Sequence, residues 1–168
     1  AIMRLKNNGF PAGINAVTFL LHKPVGLGSE ENVLQMDNPL VRQFFEIVDM
    51  QKFNFKIGFD SCSIPAVLNL THNIDHDSID TCEGGRWSMY ITSDMKALPC
   101  SFDNQELRWA FDISNSSIEE AWNSPQFERF RSHFRNSCPN CQCQHACMGG
   151  CPIRPQVVLC DRAEKELY

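Results

Sequence analysis

The first third of the chain alternates between apolar runs and an amphipathic pattern. Residues 14–22 form a nearly continuous apolar run with β-branched side chains, which predicts a strand buried on both faces. Asn38-Pro39 predicts a helix start, with Asn as the cap and Pro in the first helical position, and this helix continues to Gln51. Residues 53–59 predict a second strand. Strand, helix, strand is a βαβ unit, which is typical of α/β barrels and open α/β sheets.

Further along, the pattern predicts a β-hairpin. Residues 87–92 alternate as a strand does, residues 93–96 read as a turn, and residues 97–102 return as the partner strand. Cys82 and Cys100 therefore lie at the two ends of the hairpin, which antiparallel pairing brings close together.

Short helices are predicted around this hairpin. One covers about residues 63–70, and a capping box, Ser116-x-x-Glu119, starts a second. Ser124-Pro125 starts a third, which continues to about residue 135. Its apolar stripe is predicted to be core and consists of Phe127, Phe130 and Phe134.

Composition limits the classes of function. The chain has 168 residues, 43% of them hydrophobic, and a net charge of −5 without any block of like charges. A basic stripe for phosphates is missing, so nucleic acid is not expected as a partner. No apolar run is long enough for a membrane span, and the first ten residues lack the apolar segment of a signal peptide. We therefore expect a cytoplasmic protein and no membrane partner.

The cysteines are concentrated in one stretch. Six of the nine lie in residues 138–160, in the pattern C-x2-C-x-C-x3-C-x3-C followed after eight residues by a last cysteine. Gly149 and Gly150 allow the backbone to approach a bulky inorganic group, and Pro152 follows a cysteine as in ferredoxin-type runs. This pattern predicts a metal centre.

Spacing alone leaves the kind of metal open. Eight thiolates remain if Cys143 is set aside, which suits two four-cysteine iron–sulfur clusters or two four-cysteine zinc sites. Zinc ribbons separate their knuckles by more residues than the five between Cys141 and Cys147, which favours iron–sulfur. The alternative is a zinc-stabilised binding module without a redox role. An odd number of cysteines and no secretory signal argue against a disulfide framework.

The cysteine pattern resembles the SPASM extension of radical S-adenosylmethionine enzymes. The resemblance covers about residues 60–163 and includes C-x12-M-x4-C, then C-x2-C-x5-C-x3-C, then a final cysteine. The motifs Cys82-Glu83-Gly84-Gly85-Arg86 and Met148-Gly149-Gly150-Cys151-Pro152 also look like the family. Met95 stands where the family has Gly, in the predicted hairpin turn.

The resemblance implies two auxiliary [4Fe–4S] clusters. The first would be held by Cys62, Cys82, Cys100 and Cys151, and the second by Cys138, Cys141, Cys147 and Cys160. Cys62 is the only upstream candidate for the fourth ligand of the first cluster, and an open coordination site there is the alternative. Cys143 and His145 have no place in the pattern.

The resemblance also implies a fold and a function. The fold class is α+β: residues 1–60 resemble the end of a partial α/β (TIM-like) barrel, and residues 61–168 a small cysteine-rich domain with a β-hairpin and short helices around the clusters. The C-x3-C-x2-C motif that binds the S-adenosylmethionine-cleaving cluster is missing. We therefore expect the chain to be the C-terminal part of a peptide maturase, incomplete without an N-terminal barrel portion. Its clusters would relay electrons and help to position a peptide or protein substrate.

Two other groups of polar residues have alternative readings. The loop at residues 71–80 places His72 and His76 near three Asp residues, and we expect a solvated loop there, with a metal site as the alternative. Four cationic side chains near the end of the third helix are expected on a solvated face, with anion binding as the alternative: Arg129, Arg131, His133 and Arg135.

Overall fold

The computed structural model describes residues 1–75, 79–103, 106–136 and 138–161. The chain divides into two compact units. Unit 1 comprises Ala1–Asp80 and the C-terminal stretch from Gln156, and unit 2 comprises Thr81–Pro155. Residues 61–80 thus lie in unit 1, whereas the sequence analysis assigned them to the second domain, and that domain boundary at residue 60 stays a prediction. No helix in the described ranges is long and apolar enough to cross a membrane.

Unit 1 contains the predicted strand–helix–strand order, and its two strands are parallel. Ala16 pairs with Lys56 at one end of the sheet and Phe19 with Phe59 at the other. A 3-10 turn, Ser61–Ser63, precedes the last helix, which packs against the second one. In chain order the helices and strands are α1 (Ile2–Lys6), β1 (Ala16–Phe19), α2 (Pro39–Met50), β2 (Lys56–Phe59) and α3 (Ile64–Leu70).

The predicted start of α2 is confirmed. The Asn38 side chain accepts a hydrogen bond from the backbone N–H of Leu40, and Pro39 occupies the first turn. Capping satisfies a backbone donor that has no partner within the helix. Because residues three and four apart share a helix face, Val41, Phe45 and Val48 form one buried stripe.

The prediction that β1 is buried on both faces is wrong. Ala16 and Thr18 are exposed, while Val17 and Phe19 are half-buried against the core around Leu5. Within the described residues, each parallel strand pairs with one neighbour only, and the helices cover one face of that pair. Both strands are consequently shorter than the apolar runs that predicted them, with four residues each.

A buried ion pair lies at the carboxyl end of this sheet. Asp60 follows β2 directly, and its carboxylate pairs with the ammonium group of Lys23. The Asp60 side chain is 17% exposed and that of Lys23 is 10% exposed. The same carboxylate accepts the Leu21 backbone N–H at 3.2 Å and the Ser63 hydroxyl at 2.5 Å. One side chain therefore fixes the segment after β1 to the end of β2.

Unit 2 is built on a small antiparallel sheet with the order β3-β4-β5. The predicted hairpin is confirmed as β3 and β4, although both strands are shorter than expected, and β5 is a third strand that the sequence did not indicate. The elements are β3 (Tyr90–Ile91), β4 (Lys96–Leu98), β5 (Phe111–Asp112), α4 (Ile118–Trp122), α5 (Pro125–Asn136) and α6 (Gln144–Cys147).

The aromatic stripe of α5 supports this sheet and the segments beside it. Phe127, Phe130 and Phe134 are almost completely buried, as predicted. Phe127 belongs to a core cluster with Ala97 of β4, while Phe130 and Phe134 belong to a neighbouring cluster. One helix therefore serves both halves of the core of unit 2.

The capping box before α4 is one residue later than predicted. Ser117, not Ser116, accepts the backbone N–H of Glu120 at 3.1 Å, and the Glu120 carboxylate accepts the Ser117 N–H at 2.6 Å. The predicted pair of Ser116 and Glu119 is wrong because the N–H of Ser116 already bonds to the Ile113 carbonyl in the preceding turn. The sequence contains both spacings, and the preceding turn selects between them.

Met95 occupies the hairpin turn in a left-handed conformation, with φ of 60°. Such a conformation costs a residue with a side chain about 1–2 kcal/mol, and glycine is free of this cost. We predict that Met95→Gly raises the free energy of unfolding, because it removes this strain. The gain should not exceed about 1 kcal/mol, because glycine loses more chain entropy on folding and this offsets part of it. Urea unfolding measures the change. Met95→Ala keeps the β-carbon and is the control; an equal gain in both variants would contradict the explanation.

Breaking the Lys23–Asp60 pair should destabilise unit 1. Asp60→Asn leaves a nearly buried ammonium group without its counter-charge, so we expect a loss of about 3 kcal/mol in the free energy of unfolding. The double variant Lys23→Met/Asp60→Asn removes both charges and should lose less. Urea unfolding of the three proteins tests this, and a double variant that is as unstable as Asp60→Asn would show that the charge pair is not the cause.

Candidate metal centre

Three cysteines that are far apart in the sequence come together in unit 2. Cys82, Cys100 and Cys151 all pack against the core cluster that contains Phe130 and Phe134. Each of these thiols is partly buried. Burial is the main cause of the raised pKa of the Cys151 thiol, and the sulfurs of Cys82 and Cys100 nearby raise it further. These are three of the four residues predicted for the first cluster.

The loop after Cys82 is wound tightly around one carbonyl. The Glu83 carbonyl oxygen accepts backbone N–H groups from Arg86 at 3.0 Å, Trp87 at 2.9 Å and Ser88 at 3.3 Å. A reverse hydrogen bond from Gly85 N–H to the Ser88 carbonyl, at 2.9 Å, closes the loop. Cys82 is therefore held at the entrance of a rigid turn.

Gly84 lets this turn lie against the end of β4. A β-carbon at Gly84 would lie 3.0 Å from the Pro99 carbonyl oxygen and 3.5 Å from both the Cys82 sulfur and the Cys100 β-carbon. Burial raises the pKa of the Cys82 thiol, and the Gly84 N–H, which donates to its sulfur, lowers that pKa in part. Glycine is thus needed at the point where the two cysteine segments meet.

Gly85 has a second steric requirement. Its φ is +61°, and a β-carbon there would lie 2.9 Å from both the Phe130 ring and the Pro99 side chain. The Gly85 carbonyl accepts the Arg131 guanidinium at 3.0 Å, so α5 also fixes the loop by a hydrogen bond.

Cys151 is the most strongly perturbed of the three thiols. Burial raises its pKa to about 11, and backbone N–H groups of Arg154 and Ile153 lower it in part. The Arg154 N–H lies 3.3 Å from the Cys151 sulfur. The Arg154 side chain pairs with Glu106 at 2.7 Å and donates to the Phe102 carbonyl, which fixes the turn after Cys151.

The residues present fit an iron–sulfur group. Thiolates are its protein ligands, and backbone N–H donors to their sulfurs are the usual means of setting its potential. Here Gly84 donates to Cys82, while Ile153 and Arg154 donate to Cys151. In the described residues, no three His, Cys, Asp or Glu side chains converge closely enough to hold a single metal ion. The three thiols therefore pack against the same core cluster without meeting at one point.

Three cysteines of the predicted second set lie within residues 138–147 of unit 2. The Cys141 N–H donates to the Cys138 carbonyl at 3.0 Å, which makes the tight turn expected of a C-x2-C pair. Cys147 ends α6. After α6 the backbone is left-handed at Met148, Gly149 and Gly150 in succession, which explains the two glycines there.

The remaining two predicted ligands belong to unit 1. Cys62 lies in the 3-10 turn before α3, and Cys160 lies in the C-terminal stretch, where its N–H donates to the Val158 carbonyl at 3.1 Å. Their assignment to the two ligand sets stays a prediction. Cys143 precedes α6 and its carbonyl accepts the N–H groups of Ala146 and Cys147, so its backbone has a structural role.

Some polar residues have roles that the sequence did not indicate. Arg131, expected on a solvated face, donates to the Gly85 and Trp122 carbonyls, and Arg135 pairs with Glu128. Arg86 donates to the Cys82 carbonyl. Only the C-E-G-G-R motif itself could have pointed to Arg86.

The other metal-site alternative concerned His72 and His76. The His72 backbone N–H donates to the Asp49 carboxylate at 3.0 Å, which orders the start of the loop. His76 lies outside the described residues.

The raised pKa of Cys151 makes a prediction about the metal-free chain. With a pKa of about 11, only about one thiol in a thousand is ionised at pH 8, so alkylation at Cys151 should be slow and should accelerate tenfold per pH unit. The folded state holds this proton more tightly than the unfolded state, in which the thiol has its ordinary pKa of 9.0. Its contribution to stability is therefore present below pH 9 and lost as pH rises through 11.

Mass spectrometry of alkylated Cys151 across this pH range measures the rate. The same chain unfolded in urea is the control, and its rate should level off near pH 9. A folded chain whose rate also levels off near pH 9 would contradict the burial of this thiol.

Comparison with known families bears on the same stretch. Residues 82–147 match the SPASM family, an iron–sulfur cluster-binding domain. Searches of curated proteins and of solved structures gave no significant match. The matched stretch contains five of the eight predicted ligands: Cys82, Cys100, Cys138, Cys141 and Cys147. Residues 82–147 are therefore similar to a domain that binds iron–sulfur clusters, as is found in SPASM-containing radical S-adenosylmethionine enzymes.

Proposed function

We propose that the chain is the auxiliary cluster-binding portion of a radical S-adenosylmethionine enzyme that modifies a peptide or protein. The observation that carries the proposal is the packing of Cys82, Cys100 and Cys151 against one core cluster, with backbone N–H donors to two of the sulfurs. The family match to residues 82–147 supports the same chemistry.

The chain binds two [4Fe–4S] clusters in this proposal. The ligands of the first are Cys62, Cys82, Cys100 and Cys151. The ligands of the second are Cys138, Cys141, Cys147 and Cys160. An open coordination position on the first cluster is the alternative to Cys62.

The reaction itself requires a segment outside this sequence. No C-x3-C-x2-C motif occurs here, so the cluster that cleaves S-adenosylmethionine is supplied by an N-terminal barrel portion. The parallel pair of β1 and β2 with α2 between them supports this, because such a unit is the repeating element of an α/β barrel. A reducing compartment, the cytoplasm, suits thiolate ligands.

The chemistry at the auxiliary centre is electron transfer. In the complete enzyme a substrate C–H bond is broken by removal of a hydrogen atom, which leaves a carbon radical. Oxidation of that radical would require a one-electron acceptor and a base for the proton, and a cluster held by Cys62, Cys82, Cys100 and Cys151 would supply the acceptor. An auxiliary cluster supplies a one-electron acceptor of tunable potential. This chain's own residues hold the sulfurs, exclude water from them and direct N–H groups at them.

Anaerobic purification with iron and sulfide analysis tests the proposal. We expect about eight irons and eight sulfides per chain, and Mössbauer parameters of [4Fe–4S] clusters. Cys82→Ser and Cys151→Ser should each lose about half of the iron. Cys143→Ser is the matched control and should keep all of it, because Cys143 belongs to neither set.

Three results would overturn the proposal in different ways. Stoichiometric zinc without iron would make the chain a zinc-stabilised binding module. An iron content of about four atoms per chain would show that only one of the two proposed clusters is bound. Unchanged iron content in Cys82→Ser and Cys151→Ser, with circular dichroism unaltered, would show that these thiols are not ligands.

A further inference from the structure

Arg86 has no counter-charge among the described residues, unlike three other arginines of unit 2. Arg131 and Arg135 pair with Glu128, and Arg154 pairs with Glu106. Among the described residues, Arg86 forms no such ion pair. Its guanidinium is half-buried and donates only to neutral acceptors, namely the Thr81 hydroxyl at 2.5 Å and the Cys82 carbonyl at 3.1 Å. A full positive charge is therefore fixed beside the backbone of Cys82.

The position of this charge follows from the loop that holds Cys82. The Arg86 N–H donates to the Glu83 carbonyl at 3.0 Å, and this turn brings the side chain back over the residue that starts the loop. Two hydrogen bonds from one guanidinium nitrogen, Nη1, then hold the side chain in place. A charge held in this way acts on Cys82 without the averaging that a mobile surface side chain undergoes.

Glu83 carries the opposite charge to Arg86 in the same loop. It adjoins Cys82 in the chain, its side chain is exposed, and its structural contribution to the loop comes from its backbone carbonyl. The two side chains carry opposite charges, and both belong to the loop that starts at Cys82.

We propose that Arg86 is a positioning residue that raises the reduction potential of the cluster bound through Cys82, and that Glu83 partly offsets it. This inference rests on the proposed function. One-electron reduction adds one negative charge to the cluster and breaks no bond, so a fixed cation nearby favours the reduced form. A nearby carboxylate disfavours it, but more weakly, because water screens an exposed side chain. The cluster bound through Cys82 would therefore accept an electron more readily than it would without the Arg86 charge.

Redox titration of the cluster-loaded chain tests the inference. Dithionite supplies the electrons, and the electron paramagnetic resonance signal of the first cluster is identified as the one that Cys151→Ser lacks. Arg86→Gln removes the charge but keeps hydrogen-bond donors. We expect its reduced fraction to fall up to tenfold at a fixed potential, a negative shift of up to about 59 mV.

Two further variants separate charge from structure. Glu83→Gln should move the potential in the opposite direction, by less than Arg86→Gln, since its side chain is exposed. Arg86→Lys keeps the charge and should stay near the parent value. A merely structural role for the loop would not reverse the sign between Arg86→Gln and Glu83→Gln.

The inference is overturned if Arg86→Gln and Glu83→Gln shift the potential in the same direction or leave it unchanged. Glu83→Gln keeps the test valid even where Arg86→Gln loses its cluster, because it leaves every hydrogen bond of the loop backbone in place. Failure of the proposed function can be distinguished from failure of this inference, because the iron analysis would then find no iron in the parent chain. A loaded parent chain whose potential ignores both charges would instead refute only the role of Arg86.

Discussion

The close approach of the Cys82 loop to the end of β4 is the constraint on which the candidate centre depends. Two buried glycines make that approach sterically feasible, because a β-carbon on Gly84 or Gly85 would lie within 3.0 Å of Pro99. Phe130 closes the other side of the same space. Any side chain there would push Cys82 away from Cys100, so the sulfur positions are set by backbone packing before any metal binds.

Helix α5 links this packing to the rest of unit 2. Its Phe130 and Phe134 belong to the apolar cluster against which the three thiols pack. Arg131, on the same helix, donates to the Gly85 carbonyl. Burial that keeps water from the sulfurs also makes a thiolate costly, which is why the Cys151 pKa is raised so far. A bound metal removes that cost by replacing the proton, so metal binding and folding of this region are expected to be coupled.

The sequence predicted the parts of this arrangement that depend on spacing. The hairpin places Cys100 at the end of β4, the loop before β3 brings Cys82 back to it, and the α5 stripe follows from helical periodicity. Cys151 was placed with them only through the resemblance to a family, since no local pattern connects it to the hairpin. The roles of Arg86 and Arg131 were not predictable, because they depend on which carbonyls a folded loop turns toward the side chains.

The errors have the same physical origin. The predicted burial of β1 on both faces assumed neighbours that the described residues do not provide, and the preceding turn shifted the cap of α4 by one residue.

Met95 shows the converse case, in which a departure from a family pattern has a conformational meaning. The family has glycine where this chain holds a left-handed residue at φ of 60°, so the pattern preserves a backbone conformation that a hairpin of this length requires. The chain retains that turn with a methionine, and Cys100, a predicted ligand five residues later, lies at the end of β4.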